Sequence, residues 1–370
     1  MSIGEIILIF FTIVMCIPTI ASATRFDQWW IRGFDFPRIQ ISFLIICVII
    51  ASIVVYDFEK DWHLIAIAVL FIGLLYQFLK IYPYTYLSGK QVMKFKGSDP
   101  DASISILVSN VLTPNKRSDK LIELVKKRDP DILLTLESDQ RWEDEMSVIE
   151  KDYKYTVKIP MDNLYGMHLY SKLELEDIKV RYLVQHDIPS IHGMVVLRSG
   201  KKVNIHCLHP MPPSPTESDT STNRDAELLM LGRDIDSEKH TTLVFGDLND
   251  VAWSRTTRLF QKLSGLMDPR IGRGFFNTFH TGYALLRWPL DHVFHTRDFT
   301  LIDIAREKSI GSDHFPMYIK LNHEPIAGAI NEDTDAPDEE EKNWAEEKIK
   351  TANPLVEKIP FSSIGNRVQA

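Results

Sequence analysis

The chain has 370 residues, 45% of them hydrophobic and 25% charged, and a formal net charge of -8. It exceeds the length of one typical domain and is apolar enough to fill a real core. The negative balance argues against a broadly basic surface of the kind that binds nucleic acid.

Three long apolar runs come first, at 3–23, 39–56 and 62–82. Each has roughly 18 to 21 residues and almost no charge, enough to cross a hydrocarbon layer of about 30 Å as a helix. They predict a multi-pass anchor over 1–90 that holds the chain in a lipid bilayer, in a cell's inner membrane. Ala21-Ser22-Ala23 has the form of a signal cleavage site, but Met1 to Glu5 lacks the basic residues of a signal, so the first run reads as an uncleaved span. Trp29, Trp30, Tyr82, Tyr84 and Tyr86 suit the membrane interface. Arg25, Arg32 and Arg38 follow the first span, and Lys90, Lys94 and Lys96 follow the third, whereas the loop after the second span offers Lys60. The positive-inside rule then puts everything after residue 90 in the cytoplasm.

From 97 to 321 the pattern changes to short apolar runs separated by turns. ISILVSNV and DILLTLES read as buried strands, with an amphipathic helix between them that carries Leu121, Leu124 and Val125 and ends before Pro130. Further strands are expected at YGMHLYSK, GMVVLRS, KVNIHCLH, TTLVFGDLN, PLDHVFHT and FPMYIKL, and a helix at 223–237. Many strands with few helices predict an α/β or α+β sandwich. Cys16 and Cys47 fall in spans and Cys207 is alone in this region, so no disulfide staples it. From Asn322 onward the chain turns acidic and poor in aliphatics, with NEDTDAPDEEEKNWAEEK at 331–348. That composition predicts a solvated, largely disordered tail over 322–370 with room for a short helix.

Polar residues cluster where the predicted strands end: Asn110, Glu137, His209, Asp247 with Asn249, Asp291, and Asp313 with His314. Strand ends at one sheet edge converge, so these scattered positions can build one pocket. Glu137, Asp313 and the amide oxygen of Asn110 are hard oxygen ligands suited to Mg²⁺ or Mn²⁺. In FGDLND, the two-residue spacing puts Asp247 and Asn249 on one strand face, where Asp247 can orient or deprotonate a water and Asn249 can hold a phosphoryl oxygen. His314 can steady the developing charge, with Asp291 accepting its other ring N–H. A metal, a positioned water and a cationic imidazole are the requirements of phosphate ester hydrolysis.

SNV, LES, CLHPMP, GDLND, LDHVF and GSDHFP, in this order over roughly 100–321, resemble the endonuclease/exonuclease/phosphatase superfamily, which includes pancreatic-type deoxyribonucleases, apurinic endonucleases, sphingomyelinases and inositol-phosphate phosphatases. The resemblance implies a four-layer αββα sandwich, a metal role for Asn110, Glu137 and Asp313, water and phosphate roles for Asp247 and Asn249, and a carboxylate-histidine pair in Asp291 and His314. It also implies that His209 can act as an acid. Tyr165, Asn163 and His192 occupy stretches where members place phosphate-contacting groups, and Arg224, at a helix start, either reaches a phosphate or is a solvated helix-end residue. His206 and His292 read as structural.

The expected partner is a phosphate-ester substrate, either a lipid pyrophosphate or nucleic acid, and no protein partner is expected. A nuclease needs a basic, aromatic groove, and residues 259–288 offer Arg270, Arg273, Arg287, Phe275, Phe276, Tyr283 and Trp288. Beside a bilayer the same stretch can grip a lipid headgroup. Three spans before such a domain also resemble the superfamily's membrane-bound glycopeptide-resistance phosphatases, which act on a polyprenyl pyrophosphate outside the cytoplasmic membrane, the opposite side from the charge count. A third possibility, an inactive binding or scaffold module, predicts gaps in the metal and histidine set, and the sequence has none.

Overall fold

A computed structural model describes residues 1–97, 99–235, 240–329, 331, 335–356 and 358. The chain forms two compact units, Met1–Gly89 with Pro213–Ser221, and Lys90–Pro212 with Thr222–Ala370.

The first unit contains α1 (Ile3–Ala23), the short α2 (Trp29–Arg32), α3 (Arg38–Val55) and α4 (Asp61–Ile81). Helices α1, α3 and α4 are long and apolar enough to cross a membrane, within two residues of the expected runs. Ile41, Ile45, Ile49 and Leu70 make the small core between them, while Ile6, Phe10, Phe43 and Ile72 face outward. Apolar side chains on the outside suit helices solvated by lipid. Beyond the end of α1, the buried Asp35 carboxylate takes Arg32 at 3.0 Å and Arg38 at 2.5 Å, and Arg38 also donates to Gln77 at 2.7 Å. Two of the three arginines in the charge count are thus buried on a shared acid. Residues Pro213–Ser221 join this unit through a Gln28–Thr220 bridge, with Trp29 N donating to Asp219 O at 2.9 Å and Ser221 N to Asp27 O at 2.8 Å.

The second unit runs in chain order through β1 (Ser103–Asn110), α5 (Ser118–Arg128), β2 (Ile132–Leu136), α6 (Gln140–Met146), β3 (Tyr155–Ile159), β4 (Met167–Ser171), β5 (Glu174–Arg181), β6 (Ser190–Val196), β7 (Lys202–Leu208) and α7 (Thr222–Asp234). It continues through β8 (Thr242–Asp247), α8 (Arg255–Ser264), β9 (Asp291–His295), β10 (Phe299–Arg306), β11 (Met317–His323) and α9 (Glu339–Ala352). One sheet has the order β10-β11-β1-β2-β4-β3 and the other β5-β6-β7-β8-β9. Ile104, Ile106 and Leu134 of the first interdigitate with Ile205, Leu243 and Phe245 of the second in a dry core that includes Cys207. Helices α5 and α6 cover the outer face of the first sheet, and α7, α8 and α9 that of the second. The expected four-layer αββα sandwich is therefore the fold.

Three strands, β3, β5 and β10, had no strand expectation, and each lies at a sheet edge. Edge strands carry charged side chains toward water, as β5 does with Glu174, Glu176, Lys179 and Arg181, so they lack the apolar run that marks an inner strand. The predicted 223–237 helix runs over Thr222–Asp234, and residues 236–239 lie outside those described. The tail differs from the expectation of disorder. Asp338 caps α9 through a capping box with Glu341, and Trp344, Ala345 and Ile349 bury one face against α7 and α8. The acidic composition belongs to the exposed face, and three apolar residues at helical spacing are enough to dock the other. Residues 330, 332–334, 357 and 359–370 of the tail lie outside those described.

Candidate active site

Glycine sets the geometry of both anchor motifs. Gly246 has φ +151°, and a Cβ there would sit 2.0 Å from Leu208 O, so only glycine lets β8 pass β7 just before Asp247. Gly311 has φ +99°, and its Cβ would meet Asn115 Oδ1 at 2.7 Å, which fixes the turn that presents Asp313 and His314.

The strands then converge. Asn110 ends β1, Glu137 follows β2, His209 follows β7 and Asp247 ends β8. Asp291 begins β9 and His314 precedes β11, rather than ending strands as the sequence suggested. The same edge results because β9 is antiparallel to β8, with Asp247 opposite Asp291, and β11 is antiparallel to β1.

Asp247, Asp291 and His314 are all buried. His314 Nδ1 lies 2.9 Å from Asp291 Oδ2, and Nε2 lies 3.4 Å from Asp247 Oδ2. Burial alone would strip the imidazole of its proton, but the two carboxylates prevail and push His314 up to about 10. Burial likewise opposes the Asp247 charge, yet His314, His209 and the Asn249 N–H hold it below the usual carboxylate range. Asp291 is pushed up by burial, against the pull of His314. The unit is an imidazolium between two carboxylates.

Asn110 bridges this group to Glu137: its Nδ2 donates to Glu137 Oε1 at 2.7 Å and to Asp247 Oδ2 at 3.2 Å. Glu137 has φ +60°, and Thr113 Oγ1 holds its carbonyl at 2.7 Å. Burial raises its carboxyl to about 7, and its Oε2 is buried without a hydrogen-bond partner. Asp313 is half-buried, and its charge reaches both Glu137 and His314. Asn249, at φ +51°, donates its side-chain amide to Pro210 O at 3.0 Å, and its backbone N–H bonds Asp247 Oδ1 at 3.0 Å.

A divalent cation fits the Glu137 side. An orphaned, buried carboxylate oxygen with a second acid nearby is a hard-oxygen donor set that lacks only positive charge. Asp247, Asp291 and His314 also place one potential ligand atom each within 4.8 Å of one another. There, however, both ring nitrogens of His314 already face a carboxylate, so an ion would have to break the pairing that charges the imidazole. We read that group as a proton-bearing chain and Glu137 and Asp313 as the residues able to hold the ion; Asn110, expected to offer its amide oxygen, instead spends it on Leu112 N at 3.1 Å and turns its Nδ2 to Glu137, so it positions that carboxylate.

The remaining expectations divide. Tyr165 is buried with its ring 5.3 Å from that of His209, and so borders the site. His209 Nε2 stands 4.0 Å from Asp247, and burial pushes it down to about 4, which favours the neutral ring. Asn163 is exposed and spends its side chain on Asp187 O at 3.1 Å and Tyr165 N at 3.1 Å. Arg224 is neither solvated nor extended: it is buried, pairs with Asp225 and donates to Asn249 O at 2.8 Å, so it supports the Asn249 loop from behind. His192 and His206 pair Nδ1 to Nδ1 at 2.7 Å in the buried β6–β7 ladder, and His292 bonds Asp250 O at 2.9 Å. Thr278 and Phe279 were missed. Thr278 Oγ1 accepts from Asp291 N at 3.2 Å, and the Phe279 ring lies 4.9 Å from that of His314. No short-range signal marks them, because a hairpin closed by Trp288 brings them in.

Residues 107–314 match the Endonuclease/Exonuclease/phosphatase family. The chain belongs to this family. Its members hydrolyse phosphate esters as phosphoesterases and nucleases, and they are generally dependent on a divalent metal. Among solved structures, D. rerio TDP2 complexed with single strand DNA product is 16% identical with a TM-score of 0.50, covering 60% of this chain and 100% of that one. The human Nocturnin catalytic domain with bound sulfate anion is 14% identical with a TM-score of 0.50, covering 65% of this chain and 99% of its own. These likenesses concern the fold. No curated protein sequence matches the chain.

Proposed function

We propose that this family member is a membrane-anchored hydrolase, dependent on Mg²⁺ or Mn²⁺, that cleaves a phosphate ester of a membrane-associated (pyro)phosphate lipid. The observation that carries the hydrolase reading is the buried His314 ring held between the Asp247 and Asp291 carboxylates. Glu137, oriented by Asn110, and Asp313 would hold the ion, which when bound neutralises phosphate charge and polarises the phosphorus–oxygen bond.

This chain's own residues supply the remaining steps. Asp247, kept ionised beside His314, accepts the proton of the attacking water. Nε2 of His314 presents positive charge to the phosphoryl oxygens, and Asp291 fixes the ring through Nδ1. Asn249 gives one amide hydrogen to Pro210 O and has a second for a phosphoryl oxygen. His209, neutral in its buried setting, serves as a hydrogen-bond donor.

The lipid preference is supported by the three helices long and apolar enough to cross a membrane. Arg270 is buried against Asp268, and Arg273 turns inward to Pro269 O and Val92 O, so neither is left for a nucleic-acid groove. The full chain in detergent, with His314→Ala and Asp247→Asn as controls, is incubated with Mg²⁺ or Mn²⁺ against a polyprenyl pyrophosphate and, separately, plasmid DNA. Phosphate release that is lost in both variants and in EDTA is expected. Metal-dependent nicking of the plasmid with the lipid intact would instead establish a membrane-tethered nuclease, and silence on both would favour an inactive scaffold.

A further inference from the structure

Between Phe279 and Trp288 the chain of the second unit forms a narrow hairpin, with Phe279 N donating to Trp288 O at 3.0 Å. Its tip, Gly282 to Leu286, is a run of five exposed residues, Gly-Tyr-Ala-Leu-Leu, with Tyr283 59%, Leu285 84% and Leu286 44% exposed. An exposed run of apolar side chains is costly to keep in water and normally marks a contact surface. Arg287 follows directly and lies over the Phe315 ring at 5.0 Å, while Arg306 lies over the same ring at 4.4 Å. Among the described residues, neither guanidinium forms an ion pair with a carboxylate. Burial and the charge of Arg287 lower the hold of Arg306 on its proton, as expected of two like charges with no acid between them.

The root of the hairpin is fastened to the catalytic segment. Thr281 N donates to Asp313 O and Thr281 Oγ1 to Ser312 O, each at 2.8 Å, and Phe315 N donates to Thr278 O at 2.7 Å. Whatever holds the tip therefore also bears on Asp313 and His314.

We propose that the 280–287 hairpin is a membrane-insertion loop, its Tyr283-Ala284-Leu285-Leu286 tip entering the interface of an anionic phospholipid surface while Arg287 and Arg306 bind lipid phosphates. Three features choose this occupant. Leu285, the most exposed residue of the tip, and Leu286 have no π face on which a nucleobase can stack, while Tyr283 beside them suits a membrane interface. The paired cations complement an anionic headgroup layer. The three long apolar helices of the same chain keep the protein at a bilayer. A loop so placed would admit phosphate groups at the depth of the lipid interface, which deepens the phosphoesterase reading and rests on it for the substrate alone.

The test uses the full chain in nanodiscs of phosphatidylcholine with or without phosphatidylglycerol. Cys16 and Cys47 are replaced by Ala, and an environment-sensitive NBD label is placed at Leu285→Cys or, as a control, at Val148→Cys. Insertion predicts blue-shifted emission at 285, quenched by spin-labelled lipid and shielded from iodide, more strongly in anionic discs and weakened by Arg287→Gln/Arg306→Gln. Label at 285 that is as open to iodide as label at 148 overturns the proposal, and insertion indifferent to lipid charge overturns the role of the arginines. In parallel, Leu285→Asp/Leu286→Asp should lower hydrolysis of a disc-embedded lipid phosphate about ten-fold or more, with a soluble phosphate ester cleaved at the parent rate. Equal losses on both substrates would also overturn insertion. If the parent cleaves neither substrate, the phosphoesterase reading fails while the fluorescence still decides the loop.

Discussion

Arg270 is almost wholly buried, and its guanidinium is shared among three acceptors. Nε and Nη2 meet the two Asp268 oxygens at 2.9 and 2.8 Å, Nη2 also reaches His292 Nδ1 at 2.6 Å, and Nη1 reaches Asp291 O at 3.3 Å. Because arginine can only donate, Nδ1 of His292 accepts, and its Nε2 carries the proton given to Asp250 O. Burial pushes His292 down to about 3, in keeping with a neutral ring. Arg270→Met would strand the Asp268 carboxylate, whose burial is complete. Breaking such a pair costs about 3–5 kcal/mol, and at about 2–4 °C per kcal/mol the second unit should melt roughly 10 °C lower. Adding Asp268→Leu removes the stranded charge and should restore most of the melting temperature. It cannot restore the donor to Asp291 O, so hydrolysis should stay depressed by about ten-fold or more, as for other outer supports of a reacting site. Differential scanning fluorimetry and turnover of a soluble phosphate ester separate the two effects. A single variant melting at the parent temperature, or a double variant with full turnover, would refute this account.

The other predictions concern the site and the packing. His314→Ala should reduce turnover by roughly 10²–10⁴, since the ring's charge meets the charge that develops on the phosphoryl oxygens, and should also lower the melting temperature by leaving the buried Asp247 and Asp291 without their cation. Glu137→Gln should weaken Mn²⁺ binding about ten-fold or more in calorimetry, and EDTA should silence the parent until Mg²⁺ or Mn²⁺ is returned; unchanged binding would move the ion elsewhere. Glu227, buried on α7, is raised by burial from 4.5 to about 8. The folded chain keeps this proton where the unfolded chain has lost it, so its contribution is whole below about pH 4.5 and is lost as pH rises toward about 8. Glu227→Gln should flatten the fall in melting temperature over that window, and an unaltered slope would assign it to other groups. Trp344→Ala should cost about 3 kcal/mol by undocking α9, seen as new protease cleavage within 339–352.

The chemistry of this protein is legible in the sequence to the extent that each reactive group sits beside a local marker. Glycines at 246 and 311 and the strand-like runs before Asn110, Glu137 and Asp247 identify both the residues and the edge on which they meet, because close backbone passage and a short apolar run are local properties. The three spans are legible for the same reason: hydrocarbon thickness sets a length that a window of residues either fills or does not. Charge and exposure are another matter. Arg224 and Arg270 read as reaching cations; their acids Asp225 and Asp268 are sequence neighbours, but only the fold buries these pairs and brings Asn249 O and His292 against them. The acidic tail reads as solvated until α7 and α8 supply a surface for Trp344. His314 and His209 are the same residue type at the same edge, yet one holds its proton to about 10 and the other loses it at about 4. Two carboxylates reach the first ring and one stands 4.0 Å from the second, a difference made by contacts across the sandwich. Burial and through-space charge depend on distances between residues far apart in the chain, so tertiary structure alone decides them.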